Sequence, residues 1–230
     1  MEINTAGNPA QETGEYLTKQ ITNAPGAVLC LLSGGSALSA IEHIQLDEQT
    51  KRRTIFMMGD ERWSREESEN NYLQLKQLYP DFVTAHTVVD TSVQESESQD
   101  NFAARIHSTI EVTLSEHPNI FVISLVGIGE DGHTNGIFPM DKELFRETYP
   151  TDTNYTSVIT SGLSLNFRAS VTPTWIANNV DEIVLYAVGE NKKTVLKSLI
   201  YETKELYEMP AQLIKLHPNA TVFTDQEIAV

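Results

Sequence analysis

Apolar runs of strand length recur along the chain at Ala27–Ser33 (AVLCLLS), Thr54–Asp60 (TIFMMGD), Ile120–Gly127 (IFVISLVG), Glu182–Gly189 (EIVLYAVG) and Ala220–Asp225 (ATVFTD). Most are continuously apolar rather than alternating, the pattern of strands covered on both faces. Helical spacing fills the intervals. Leu38, Ile41 and Ile44 share a side of Ser36–Ile44. Phe102, Ile106, Ile110 and Leu114 recur every four residues within 97–116, and Val195, Leu196, Leu199 and Ile200 cluster within Asn191–Ile200. This alternation predicts one doubly wound α/β domain over residues 1–230, with a mostly parallel sheet and helices on both faces. The acidic stretch Val93–Asp100 (VQESESQD) reads as a surface loop and helix start. Residues 140–170, with Pro150 and Gly162, read as an irregular excursion containing one or two short strands.

A chain of 230 residues can bury a substantial core without covalent staples. Its single cysteine, Cys30, has no internal disulfide partner and lies in an apolar run, so it reads as a small buried hydrophobe. Without a disulfide framework the expected compartment is the cytoplasm. The first residues, MEINTAGNPAQETGEY, lack the basic and apolar regions of a secretory signal, and the Ala27–Leu32 run is too short to span a bilayer.

Charge narrows the partners. The formal net charge of −16 repels nucleic acid and anionic membranes, so neither is expected as a partner. An anionic metabolite would be repelled as well, unless a local group of Arg, Lys or backbone N–H donors receives it. The positions of the few basic residues therefore test any reading that involves a phosphorylated ligand.

In open α/β sheets, ligands bind beyond the carboxyl ends of the strands. The first apolar run ends in Ser33-Gly34-Gly35-Ser36, where glycines admit close approach of an anion or serve as plain turn residues. The second ends in Gly59-Asp60-Glu61-Arg62-Trp63. Charges in a purely structural role there are expected to stay solvated, as an ordinary surface ion pair. Downstream, Asn70-Asn71-Tyr72 opens a helical pattern in which asparagine can cap the helix or bind a sugar hydroxyl. The run from Leu125 leads into Gly127-Ile128-Gly129-Glu130-Asp131-Gly132-His133-Thr134, a histidine on a tightly turned loop with a carboxylate two residues away. Histidine suits proton transfer near neutrality. Arg168 and Lys192 also lie near strand-end turns and, with Arg62, form a candidate phosphate clamp.

In this order, SGGS, GDERW with NNY downstream, VGIGEDGHTNGIFP, FRASVT, GENK and MPAQLIKLHPNATVFTD resemble the 6-phosphogluconolactonase family, within the wider group that includes glucosamine-6-phosphate deaminase. The resemblance implies a Rossmann-like three-layer α/β/α domain that hydrolyses a sugar-phosphate lactone without metal or organic cofactor. It implies His133 as acid/base, Asp60 or Asp131 positioning it or the sugar, and Arg62, Arg168 and Lys192 on phosphate or adjoining oxygens. Gly34, Gly35 and Ser36 would line the pocket floor, with Asn71 on the substrate. The expected partner is a small sugar phosphate, and the expected state a monomer or small homo-oligomer. Two positions depart from the pattern. Ala37-Leu38 stands where the family commonly has Thr-Pro, removing a hydroxyl, and Gln212 stands in place of a serine.

Two rival readings exist. Deaminases resemble the chain at Asp60-Glu61, at Asp131-Gly132-His133 and at His217–Asn219, but usually have Tyr at the position of Arg62. They also carry a catalytic glutamate shortly after the histidine, where this chain has Phe138. A non-catalytic sugar-phosphate binder is the second rival, and retention of Asp60, Arg62 and His133 argues against it.

Overall fold

The computed structural model describes residues 1–152, 155–160 and 167–228. Gly162, named in the excursion before Arg168, lies outside the described residues. The strands are β1 (Glu2–Thr5), β2 (Val28–Leu32), β3 (Thr54–Met58), β4 (Asp60–Arg62), β5 (Thr87–Val88), β6 (Phe121–Val126), β7 (Tyr155–Ile159), β8 (Phe167–Val171), β9 (Glu182–Tyr186) and β10 (Ala220–Thr224). A seven-stranded sheet has the order β1-β10-β9-β6-β2-β3-β5, with every neighbouring pair parallel. A small antiparallel sheet, β4-β8-β7, stands beside it.

The continuous apolar runs have a direct cause. In β2, Val28, Cys30 and Leu32 enter one core cluster while Leu29 and Leu31 enter the other, so both faces of the strand are dry. Burial pushes the Cys30 thiol far above its ordinary range, consistent with an inert packing residue. One cluster is covered by the helix Gln99–Glu116, through Phe102, Ile106 and Ile110, and by the helix Lys193–Tyr201, through Leu196 and Leu199. The other is covered by the helix Pro9–Asn23 and by Gly35–His43. Gly35–His43 is a 3₁₀ helix, and the three-residue spacing of Leu38, Ile41 and Ile44 fits that period better than an α-helix. No helix among the described residues is long and apolar enough to cross a membrane.

One expectation changes and another is met. The run Thr54–Asp60 is two strands, because the chain leaves the large sheet at Gly59 and Asp60–Arg62 joins the small one. Gly59 spans both sheets, donating its N–H to Leu32 and accepting from Val171. The excursion contains two strands, β7 and β8, whose pairing with β4 carries Arg168 toward the carboxyl ends of the large sheet.

Candidate functional site

The strand order reverses direction between β2 and β6: the chain winds outward from β2 through β3 and β5 on one side, and from β6 through β9 and β10 on the other, where the first strand, β1, forms the edge beside β10. Crevices form at such switch points because consecutive connections leave on opposite faces. A cleft of about 200 Å³ opens here, lined by Ser33, Gly34, Gly35, Ser36, Asp60, Arg62, Asn71, Gly127, Ile128, Gly129, His133, Asn135, Arg168, Tyr186 and Lys192. Every candidate residue named from the sequence lines it except Asp131, which reaches it through His133.

The His133 loop is a set of backbone constraints. Gly129 N–H donates to the His133 carbonyl at 2.8 Å, Gly132 N–H to Gly129 at 3.0 Å, and Ala211 N–H to Gly132 at 2.9 Å. Gly132 has φ +86°, and a Cβ on it would lie 2.8 Å from Met209 Cγ. A Cβ on Gly129 would lie 2.1 Å from His133 Nδ1, so that glycine makes room for the ring. The MPAQ segment thus braces the loop from behind.

Asp131 Oδ1 accepts from the His133 backbone N–H at 3.1 Å and lies 2.5 Å from His133 Nδ1. Burial works to raise the Asp131 carboxyl, but the hydrogen bond and charge of His133, aided by backbone N–H groups, outweigh it and hold the carboxyl below its ordinary range. An ionised carboxylate on Nδ1 fixes the proton there and leaves Nε2 as the ring nitrogen available for chemistry. The Phe138 ring lies 4.7 Å from the imidazole, and the Arg168 guanidinium lies 5.1 Å from the Phe138 centroid. Tyr149 holds that segment, accepting from Phe138 N–H and donating to the Gly136 carbonyl.

The same cleft carries a group of cations. Arg62 on β4 stands directly across from Arg168 on β8. Like charges opposed in this way weaken a sheet unless an anion compensates them. Arg168 is buried, and Asp60 Oδ2 lies 3.6 Å from its Nη1. Burial lowers the guanidinium pKa while Asp60 pulls it back up. Arg62 donates to the Glu69 carbonyl at 3.2 Å, yet the Nε atoms of both arginines are buried without a partner among the described residues. Such groups are costly to leave unpaired. Lys192 joins the lining from the turn Glu190–Lys192, which follows Gly189 after β9 and is tied to the His133 loop by Asn191, whose amide donates to Glu130 at 2.8 Å. The cleft therefore carries three cations against the single carboxylate of Asp60, in a chain of net charge −16.

Glu61 corrects the expectation that a structural charge stays solvated. It is fully buried and structural, accepting from Arg62 N–H, Asn71 N–H, Tyr72 N–H and the Thr91 hydroxyl at 2.7–2.9 Å. Burial pushes its carboxyl up to about 8 while those four donors pull the other way. It anchors the start of the helix Asn71–Leu78, whose N-cap is Asn70. Asn71 donates to the Asp60 carbonyl at 2.9 Å, and its Oδ1 would lie 2.2 Å from a Cβ on Gly34. Glycine at 34 is what lets the 33–36 turn sit against Asn71.

The departures at Ala37, Leu38 and Gln212 fall outside the cleft. Ala37 and Leu38 are packed in the core, and Gln212 is buried with its amide donating to the Glu202 carbonyl at 3.2 Å. Arg65 and Lys193 also stand away from the lining: Arg65 lies over Trp63 and donates to Gln94, and Lys193 pairs with Glu190. Sequence reasoning missed Asn135 and Tyr186. Asn135 lies within the glycine-rich loop already singled out, whereas Tyr186 ends an apolar strand and reads as core. Its hydroxyl accepts from Ser39 Oγ at 3.0 Å.

Residues 4–223 match the family described as glucosamine-6-phosphate isomerases/6-phosphogluconolactonase. A 6-phosphogluconolactonase of Borreliella burgdorferi is 29% identical over 185 residues, covering 76% of this chain and 73% of that protein. A glucosamine-6-phosphate deaminase of Staphylococcus epidermidis is 24% identical, covering 93% of this chain and 90% of its own. The crystal structure of a 6-phosphogluconolactonase from Shewanella baltica superposes with a TM-score of 0.78 at 19% identity, covering 97% of each chain. The chain belongs to the family of glucosamine-6-phosphate isomerases and 6-phosphogluconolactonases.

Proposed function

We propose that the chain hydrolyses 6-phospho-D-glucono-1,5-lactone to 6-phosphogluconate, the lactone-opening reaction of the oxidative pentose phosphate pathway. The observation that carries this reading is a single imidazole, oriented by Asp131, lining one cleft together with Arg62, Arg168 and Lys192. A lactone carbonyl is already electrophilic, so its hydrolysis needs a positioned water, one base that can return its proton, and support for an oxyanion.

His133 Nε2 takes a proton from water as the water oxygen bonds to the lactone carbonyl carbon. Asp131 stabilises the imidazolium so formed. The tetrahedral intermediate collapses by breaking the bond to the ring oxygen, which receives the proton from His133 and becomes the free hydroxyl. The three cations hold the phosphate, and binding at that remote group orients the carbonyl. Hydrocarbon at Phe138 supports lactonase over deaminase chemistry, because the place beside His133 where a deaminase needs a second carboxylate is filled by an aromatic ring.

Comparison of the phosphorylated lactone with unphosphorylated glucono-1,5-lactone tests the role of the clamp. A kcat/KM ratio of about 10³ or more is expected from several charge-assisted contacts. Equal rates on the two lactones would contradict it.

A further inference from the structure

We propose that Asn135 is a specificity-determining residue whose side-chain amide reads a ring hydroxyl of the sugar; this rests on the lactonase reading of the same cleft. Asn135 occupies a tight turn in which Ile137 N–H donates to the Thr134 carbonyl at 3.0 Å and Thr134 N–H to the Ile137 carbonyl at 3.3 Å. Its φ is +49°, a left-handed conformation that asparagine tolerates and glycine adopts without strain. The backbone thus admits either residue and does not by itself require a side chain here.

The side chain nevertheless lines the cleft, two residues from His133, and is only 5% exposed. Neither Oδ1 nor Nδ2 has a hydrogen-bond partner among the described residues. A Cβ built on Gly59 would lie 3.4 Å from Asn135 Oδ1, which places the amide over the end of β3 beside Asp60. Two buried polar atoms without a partner among the described residues are costly to leave so.

The chemistry of the atoms identifies what would satisfy them. A phosphate or an oxyanion takes donors only, and the three cations already offer those. A carboxamide presents one acceptor and one donor side, which match a hydroxyl group that both donates and accepts. Sites built to hydrogen-bond a substrate hydroxyl reject analogues that lack it, because the site's own groups are then left unpaired.

The test compares wild type with Asn135→Gly and Asn135→Asp on 6-phosphogluconolactone and its 2-, 3- and 4-deoxy analogues. Calorimetric binding of 6-phosphogluconate and the matching deoxy acids runs in parallel. Wild type is expected to prefer the full sugar over one deoxy analogue by about tenfold or more. Asn135→Gly is expected to lose that preference and retain the others, with a Tm equal to or above wild type; a merely structural residue would show a lowered Tm and unchanged preferences. Asn135→Asp, which keeps the shape and loses the donor, is expected to fall between. Retention of every preference by Asn135→Gly would overturn the proposal. A wild type that binds 6-phosphogluconate without hydrolysing the lactone would remove the lactonase reading alone, and the binding ratios would still decide the role of Asn135. A wild type that binds neither would remove both.

Discussion

Replacing His133 with alanine is expected to lower kcat for lactone hydrolysis by about 10²-fold or more, with the fold intact. The ring is part-exposed, and the loop is held by backbone bonds from Gly129, Gly132 and Ala211 that the substitution leaves in place. The loss should fall on kcat rather than KM, since the proposed clamp of Arg62, Arg168 and Lys192 is untouched and an acid/base acts in the transition state. Asp131→Asn should lose at least tenfold, because a carboxamide can present its NH₂ to Nδ1 and shift the ring proton to Nε2, where it blocks base catalysis. Steady-state kinetics beside circular dichroism is the measurement. A well-folded His133→Ala chain with near-normal turnover would sink the assignment.

The second large effect concerns capture of the anion. Lys192→Gln and Arg168→Gln are each expected to raise KM by about tenfold to 10²-fold, the value of a lost charge-assisted contact. The structure separates the two in stability. Lys192 projects from a surface turn, so its variant should keep the wild-type Tm. Arg168 is buried beside Asp60, which is only 3% exposed, so neutralising it strands a carboxylate and should lower Tm as well. The loss at Arg168 is therefore coupled, with KM raised and Tm lowered together. Wild-type KM for both variants would show that the phosphate is held elsewhere.

The legible parts of the fold were those with one dominant physical cause. β2, β3, β6, β9 and β10 were visible because strands buried on both faces must be apolar throughout. The opening strand and helix were not. β1 is short and half-polar, and the buried face of Pro9–Asn23 includes Thr13 and Gly14 beside Leu17 and Ile21, which dilutes its apolar stripe. β5, with only Thr87 and Val88, falls below any periodic signal.

The site was legible where unusual residues follow strand ends, as at Asp60, Arg62 and His133. Its three-dimensional pairings were not, because they depend on the small sheet. Only the β4–β8 register brings Arg168 to Asp60 and Arg62 across more than a hundred residues. Glu61 shows the converse. Beside Asp60 it looks like a site residue, and it is instead consumed by four internal donors.

The most direct test of the central claim is to give the purified chain freshly generated 6-phosphogluconolactone and, in a parallel reaction, glucosamine-6-phosphate. Formation of 6-phosphogluconate is read by a coupled dehydrogenase, and ammonia release is read from the amino sugar. The expected result is lactone opening far above the spontaneous rate, with no ammonia. Ammonia release, with lactone opening no faster than in buffer, would contradict it.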